Sequence, residues 1–194
     1  GSVILQAAVN GLGAVTVAAV TAGSKISSFC VAVTDALGAT MATYCGQNVG
    51  AGKLDRVREG VKLATIIGII YSVIVFVLMI FIGGELPKLF IDASKADVIE
   101  KARIFLLWNS GFYFALIFVN VWRNSIQGMG FPMFAILSGV CEMFARGIVG
   151  FAGVKYFGFV AACMGSPLAW IIADIFLIPG FLYCLKKLGK VFGE

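Results

Sequence analysis

Hydrophobic residues are grouped along the chain into blocks long enough to cross a lipid bilayer, and short polar turns separate the blocks. Segment 63–84 and segment 104–122 contain no charged residue. A helix needs roughly 20 apolar residues to cross a hydrocarbon layer about 30 Å thick, so both are predicted to span a membrane. Three further blocks qualify when one or two interior charges are allowed. The pattern therefore predicts an all-α integral membrane protein.

The predicted spans make one transmembrane unit over residues 1–194, with turns rich in glycine and proline between them. The first block is too short to cross a bilayer and is expected to be a truncated helix. The predicted spans are residues 2–12 (partial), 18–48, 59–84, 101–127, 132–155 and 158–185.

Composition agrees with a bilayer as the surrounding solvent. The 194 residues are 60% hydrophobic and 13% charged, so charges are too few to cover a surface that faces water. The net charge of +5 does not indicate nucleic-acid binding, because the lysines and arginines lie between the apolar blocks. No histidine is present, which excludes HExxH zinc sites and nucleophiles paired with histidine, and no cofactor or enzymatic activity is predicted.

Basic residues predict how the protein is oriented in the cell membrane. Lysines and arginines follow the second, fourth and sixth spans, and the opposite side carries basic residues diluted by acids. Cytoplasmic loops carry the excess of lysine and arginine, so a multi-pass protein with a cytoplasmic C terminus is expected. The residues on the predicted cytoplasmic side are Lys53, Arg56, Arg58, Lys62, Arg123, Lys186, Lys187 and Lys190.

Asp35 lies near the middle of the second predicted span, three residues before Gly38. Gly38 begins a stripe of small residues at four-residue spacing that continues through Ala42, Gly46 and Gly50, a pattern typical of close helix packing in membranes. Asp35 shares the face of Gly38 and is expected to face protein. Two interpretations stay open: a proton or cation site, or a carboxylate satisfied by donors of neighbouring helices.

Three other charged residues inside predicted spans, Glu142, Arg146 and Asp174, are candidates for a structural or functional role. Glu142 and Arg146 are four residues apart, which predicts a structural ion pair on one helix face. Asp174 has no partner on its own helix and is a candidate for a functional role.

Polar residues recur at three- and four-residue intervals on the fourth predicted span and form a stripe on one face. This stripe either packs by hydrogen bonding or borders a watery cavity, and the sequence favours neither. A shorter stripe, Gln6 and Asn10, lies on the first block. The members on the fourth span are Asn109, Tyr113, Asn120, Asn124 and Gln127, with Leu116 as the apolar exception.

The run from Ala42 to Arg56, which reads ATYCGQNVGAGKLDR, resembles the loop between helices eight and nine of multidrug and toxic compound extrusion (MATE) transporters. The resemblance covers essentially the whole chain, because further matches occur in order along it. These are Leu5 to Asn10 with Gly13, Gln127 to Gly130, Glu142 with Arg146, and Ser166 to Trp170.

The resemblance implies the C-terminal lobe, helices seven to twelve, of a twelve-helix antiporter that exchanges Na⁺ or H⁺ for small organic cations by alternating access. Its expected partners are the bilayer, the missing N-terminal lobe and the cation substrate. The cation-pathway candidates are Asn10, Asp35, Asn109, Tyr113, Asn120 and Asp174. Leu116 occupies the position where branches that couple through this lobe have an acid, which favours coupling through the other lobe.

Two further functions remain open from the sequence. A lipid-linked oligosaccharide flippase of the same superfamily would need cationic residues along its cavity, and only Lys25, Arg123 and Arg146 are near or within spans. An isolated lobe could instead be a structural or self-associating membrane protein without transport activity, for example a homodimer paired through its exposed face.

Overall fold

The chain is helical throughout the part that the computed structural model describes, which is the backbone of residues 2–192 and the side chains of residues 6–192. No strand occurs within residues 2–192, which confirms the all-α prediction. The ends of the predicted unit 1–194 and the side chain of Leu5 lie outside the described residues. The helices are α1 (Ser2–Asn10), α2 (Ala14–Gly50), α3 (Leu54–Ile82), α4 (Ala96–Gly111), α5 (Tyr113–Gly128), α6 (Pro132–Ile148), α7 (Val154–Phe157) and α8 (Phe159–Phe192).

Within residues 2–192, four helical segments are long and apolar enough to cross a membrane by themselves. They are α2, α3, the segment Pro132–Phe157 and α8, of which the third contains a π-helical turn at Val149–Gly153. α8 continues through Pro167 and Pro179, which membrane helices tolerate when neighbouring groups satisfy the freed backbone.

A break divides the fourth predicted span. α4 and α5 meet at Phe112 with a bend of 48°, and together they make a fifth span. Gly111 directly precedes the break, and glycine is a weak residue in a helix interior. The predicted stripe from Asn109 to Gln127 therefore does not run along one continuous helix, because Asn109 belongs to α4 and its other members to α5.

α5 lies at the centre of the lobe and packs against α2, α3, α6 and α8. Its buried residues Ile117, Val119 and Val121 join Leu177 of α8 and Val61 of α3 in the main hydrophobic core. α3 by contrast exposes a row of isoleucines and valines along its length. In a membrane protein such an apolar outer surface faces lipid.

The stripe of small residues on α2 packs against α5. A Cβ atom on Gly38 would lie 2.7 Å from the Asn124 Nδ2 atom and 2.9 Å from the Asn120 carbonyl oxygen, so only glycine permits this approach. Further along, a Cβ atom on Gly46 would lie 3.2 Å from the Gly128 carbonyl oxygen. Gly50, in contrast, has open space beside it.

Candidate functional site

The side chain of Asp35 is held at the exposed edge of the α2–α5 contact. The Asn120 amide nitrogen donates to the Asp35 Oδ1 atom at 2.8 Å and to the Thr34 hydroxyl oxygen at 2.8 Å. The Thr34 hydroxyl in turn donates to the Val31 carbonyl oxygen at 2.8 Å. Asn120 and Thr34 are both buried, so the donor that positions the carboxylate is fixed within the protein.

The Asp35 side chain is exposed on the surface of the lobe, although the Asn120 amide that donates to it is buried. The expectation that it faces protein therefore holds for one carboxylate oxygen and not for the residue as a whole. Among the described residues no lysine or arginine forms an ion pair with Asp35. A neutral amide therefore orients the Asp35 carboxylate.

A second group of charged residues joins α5 to α6. Arg123 of α5 and Arg146 of α6 both pair with Glu142, Arg123 through the Oε1 atom and Arg146 through the Oε2 atom at 3.0 Å. The Arg123 Nε atom also donates to the Ser138 hydroxyl oxygen at 2.8 Å. Glu142 is 6% exposed, so two guanidinium groups compensate one buried carboxylate.

The Arg123 side chain is only 24% exposed and pairs inside the lobe. The cytoplasmic location predicted for this end of α5 is a separate matter, which the pairing does not test, and it stays a prediction.

Asp174 of α8 lies beside the same group, near enough to interact electrostatically with Glu142 and Arg123. Its Oδ1 atom is buried and has no hydrogen-bond partner within the described part of the chain. Asp174 and Asp35 belong to different surroundings, since the Asp174 Oδ1 atom is buried within the lobe and Asp35 lies at the exposed edge of α2.

The remaining predicted site residues do not converge on Asp35. Asn109 is 4% exposed, and its amide donates to the Phe105 carbonyl oxygen at 3.0 Å and to the Cys163 carbonyl oxygen at 3.5 Å. Tyr113 is 2% exposed and packs against Trp170, with ring centroids 6.0 Å apart. Both residues fill the interior of the lobe, where hydrogen bonding and packing account for their polarity.

The ends of the two polar stripes are open to the surroundings. Gln127 is exposed, and Asn124 donates to the Asn120 carbonyl oxygen at 2.7 Å. On α1, Asn10 is exposed and accepts a hydrogen bond from the Gln6 amide at 3.3 Å. Of the cation-pathway candidates on α5, Asn120 is the one that hydrogen-bonds another candidate, Asp35, within the described part of the lobe.

Sequence reasoning missed Thr34 and the link between Arg123 and Glu142. Thr34 directly precedes Asp35 and could have been noticed as a hydroxyl inside an apolar block. The Arg123–Glu142 contact joins two helices, and spacing along one chain does not show such a contact. Across residues 6–192, no group of histidine, cysteine, aspartate and glutamate side chains could hold a metal ion, and the five cysteines are free.

The fold and its buried charges are those of one lobe of a polytopic membrane transporter. The MatE family model matches residues 1–151, most of the chain, and the chain therefore belongs to the MatE family of transporters. This confirms the resemblance found in the sequence motifs.

Solved structures of the superfamily have the same fold. A MOP superfamily transporter from Pyrococcus furiosus, described as having a binding pocket of reversed polarity, superposes with a TM-score of 0.82 at 20% identity, covering 91% of this chain and 39% of that one. The inward-facing conformation of a multidrug resistance MATE family transporter gives a TM-score of 0.82 at 17% identity, covering 97% of this chain and 48% of that one.

A curated relative is the protein named FAD transporter of Shewanella oneidensis. It is 23% identical over 127 residues, which make up 66% of this chain and 28% of the relative. The chain thus spans less than half the length of each of these proteins. This coverage is consistent with one lobe of such a transporter.

Proposed function

We propose that the chain is the C-terminal lobe of a cation-coupled antiporter that exports organic cations across the cell membrane. The observation that carries this proposal is the Asp35 carboxylate, which lies on the exposed face of a membrane-spanning helix without an ion-pair partner among the described residues. An uncompensated carboxylate at this depth costs several kcal/mol, so such residues are usually retained for ions or charged substrates.

The position of Leu116 bears on the coupling ion. Leu116 is 6% exposed and lies in the main hydrophobic core, so the place where related branches have an acid is apolar and dry in this lobe. We therefore propose that Na⁺ or H⁺ couples through the other lobe, and that Asp35 contacts the organic cation.

The charge arrangement argues against the lipid-linked oligosaccharide flippase. A pyrophosphate headgroup calls for several cationic groups around one cavity. Here Arg123 is directed at Glu142 and Ser138, and the Lys25 ammonium lies 5.8 Å from the centre of the Phe90 ring. Arg146 lines a cavity of about 210 Å³, and neither Lys25 nor Arg123 lines that cavity.

Efflux of tetraphenylphosphonium from proteoliposomes that contain the native-length transporter tests the proposal. We expect Asp35→Asn to abolish most of the efflux, because the neutral amide keeps the size of the side chain and removes its charge. The matched control is Asp97→Asn, in the first turn of α4. Efflux that persists after both the Na⁺ and the H⁺ gradient are collapsed would contradict cation coupling.

The same preparation distinguishes an antiporter from a flippase and from a structural lobe. A flippase would move a fluorescent lipid-linked sugar and not tetraphenylphosphonium. A lobe that serves only structure or self-association would leave efflux unchanged in the Asp35→Asn variant of the native-length protein.

A further inference from the structure

A small cavity with polar and apolar lining residues lies between helices of the lobe, away from Asp35, and two of its lining residues, Gln6 and Ser24, are exposed. The proposed function does not use this cavity. It holds about 210 Å³ and is lined by residues of α1, α2, α4, α6 and α8. Its apolar wall includes Phe105. Its polar lining consists of Gln6, Ser24, Arg146 and Ser166.

The cavity is electropositive because of how Arg146 is paired. Glu142 is shared by two guanidinium groups, so these three side chains together carry one excess positive charge. The Arg146 Nη2 atom lies 3.0 Å from the Glu142 Oε2 atom. A guanidinium group has five N–H donors, so this contact leaves other donors of Arg146 for a ligand. Asp174 is not among the residues that line the cavity.

The two serine hydroxyls of the cavity add neutral donors. Within residues 6–192, neither Ser24 nor Ser166 has a hydrogen-bond partner, whereas Ser28 of the same helix α2 donates to the Lys25 carbonyl oxygen at 2.6 Å. Their hydroxyls come from α2 and α8, on helices other than that of Arg146. Donor groups from α2, α6 and α8 thus line one cavity, which contains the Arg146 guanidinium group.

We propose that this cavity binds a small anion, a carboxylate or a phosphate group, held by the Arg146 guanidinium and the Ser24 and Ser166 hydroxyls. Arginine suits this ligand because its planar fork matches carboxylate and phosphate oxygens with two parallel hydrogen bonds. The anion belongs either to a small soluble molecule or to a lipid headgroup that enters between the helices. The volume of about 210 Å³ admits a group of the size of benzoate or phosphate.

The distance to Asp35 makes this a separate site. Ser24 and Asp35 are eleven residues apart on α2, which places them on nearly the same face about 16 Å apart along the helix axis. A small anion at Arg146 therefore does not contact the Asp35 carboxylate.

The test uses the native-length transporter in phosphatidylcholine nanodiscs, titrated with benzoate and with inorganic phosphate by calorimetry. Ser24→Asp places a carboxylate beside Arg146, which supplies the missing counter-charge and blocks the cavity without leaving a cation unpaired. The matched control is Thr40→Asp, sixteen residues further along the same helix on an exposed position. A second pair, Arg146→Gln and Arg146→Lys, separates loss of charge from loss of the planar fork.

We expect saturable binding of benzoate or phosphate to the parent protein. A soluble ligand is supported if the affinity falls by roughly tenfold or more in Ser24→Asp and Arg146→Gln but not in Thr40→Asp. If neither probe binds, nanodiscs that contain phosphatidylglycerol supply the second arm. If phosphatidylglycerol copurifies with the parent protein but not with the Ser24→Asp variant, the result supports a lipid headgroup as the ligand. Equal behaviour of the parent and Ser24→Asp in both arms would overturn the proposal.

The outcome is independent of the antiport proposal. Asp35→Asn should leave anion binding unchanged while it removes efflux of the organic cation. A failed efflux assay with intact anion binding would refute the antiport proposal only.

Discussion

Arg123 and Glu142 connect the central helix α5 to α6 through an ion pair that is enclosed by the lobe. Glu142 also accepts from Arg146 of its own helix, so its two carboxylate oxygens serve two different cations. Helix α6 is therefore joined to the core by charge as well as by packing, and the first prediction concerns this contact.

Replacing Glu142 by Gln should destabilise the lobe strongly. The substitution leaves two partly buried guanidinium groups without their counter-ion, and breaking a buried pair in this way costs about 3–5 kcal/mol. The measurement is thermal or denaturant unfolding of the detergent-solubilised protein. The control is Glu100→Gln, because Glu100 forms a more exposed pair with Arg103 at 3.5 Å and should change stability by about 1 kcal/mol or less. Equal losses for the two variants would contradict this account.

Replacing Gly128 by Ala should disturb the contact between α2 and α5. A Cβ atom at Gly128 would overlap the Ala42 carbonyl group, which is backbone and cannot rotate away. Overpacking of this kind costs about 1–3 kcal/mol, and the loss should appear as a lower unfolding temperature. Gly139→Ala on α6 is the matched control, since nothing lies within 4 Å of a Cβ atom there. A neutral Gly128→Ala variant would show that the two backbones are further apart.

Replacing Thr65 by Val should weaken the contact between α3 and α5. The Trp122 indole nitrogen donates to the Thr65 hydroxyl oxygen at 3.1 Å, and valine keeps the shape of threonine but cannot accept. An unsatisfied buried donor costs about 1–3 kcal/mol, measured again by unfolding. In the control, Thr40→Val, the hydroxyl lost is an exposed one that bonds only its own helix, at the Ala36 carbonyl oxygen. Comparable effects of both substitutions would show that the indole contact contributes little.

The turn at Asp92, outside the spans, should loosen in acid. The Ser94 backbone N–H donates to the Asp92 Oδ1 atom at 2.9 Å, and this hydrogen bond is the main reason why the pKa of Asp92 lies below its usual range. A lowered pKa means that the carboxylate stabilises the turn above its unfolded pKa and loses this effect as the pH falls through the lowered value.

We therefore expect the NMR shift of the Ser94 amide to be constant near neutral pH and to change only in acid, below about pH 4. Asp92→Asn should remove this titration, whereas Asp97→Asn should preserve it. A Ser94 amide that titrates equally in Asp92→Asn would show that another group controls the turn.

The candidate site illustrates where prediction from spacing succeeds and where it stops. Gly38 and Ala42 recur at the interval of one helical turn, and that interval predicts close packing of another helix against the α2 stripe. The structure shows that the partner is α5. The partner of Asp35 does not follow from any interval, because Asn120 lies 85 residues away along the chain. Asn109, Tyr113 and Asn120 are all buried, but of these three Asn120 is the one that hydrogen-bonds Asp35. Asn109 lies on α4, on the other side of the 48° bend at Phe112.

The sequence by itself determined the solvent, the helices and the family of this protein. Hydropathy and helix length are local properties that can be read from consecutive residues. In a bilayer the backbone polar groups must form hydrogen bonds within the protein, so apolar blocks of this length fold as helices. Only the tertiary structure decided which groups of different helices meet. Arg123 pairs with Glu142, and Arg146 lines a cavity with Ser24 and Ser166. Those contacts join different helices, and their free energy depends on how the helices pack, which no single helix encodes.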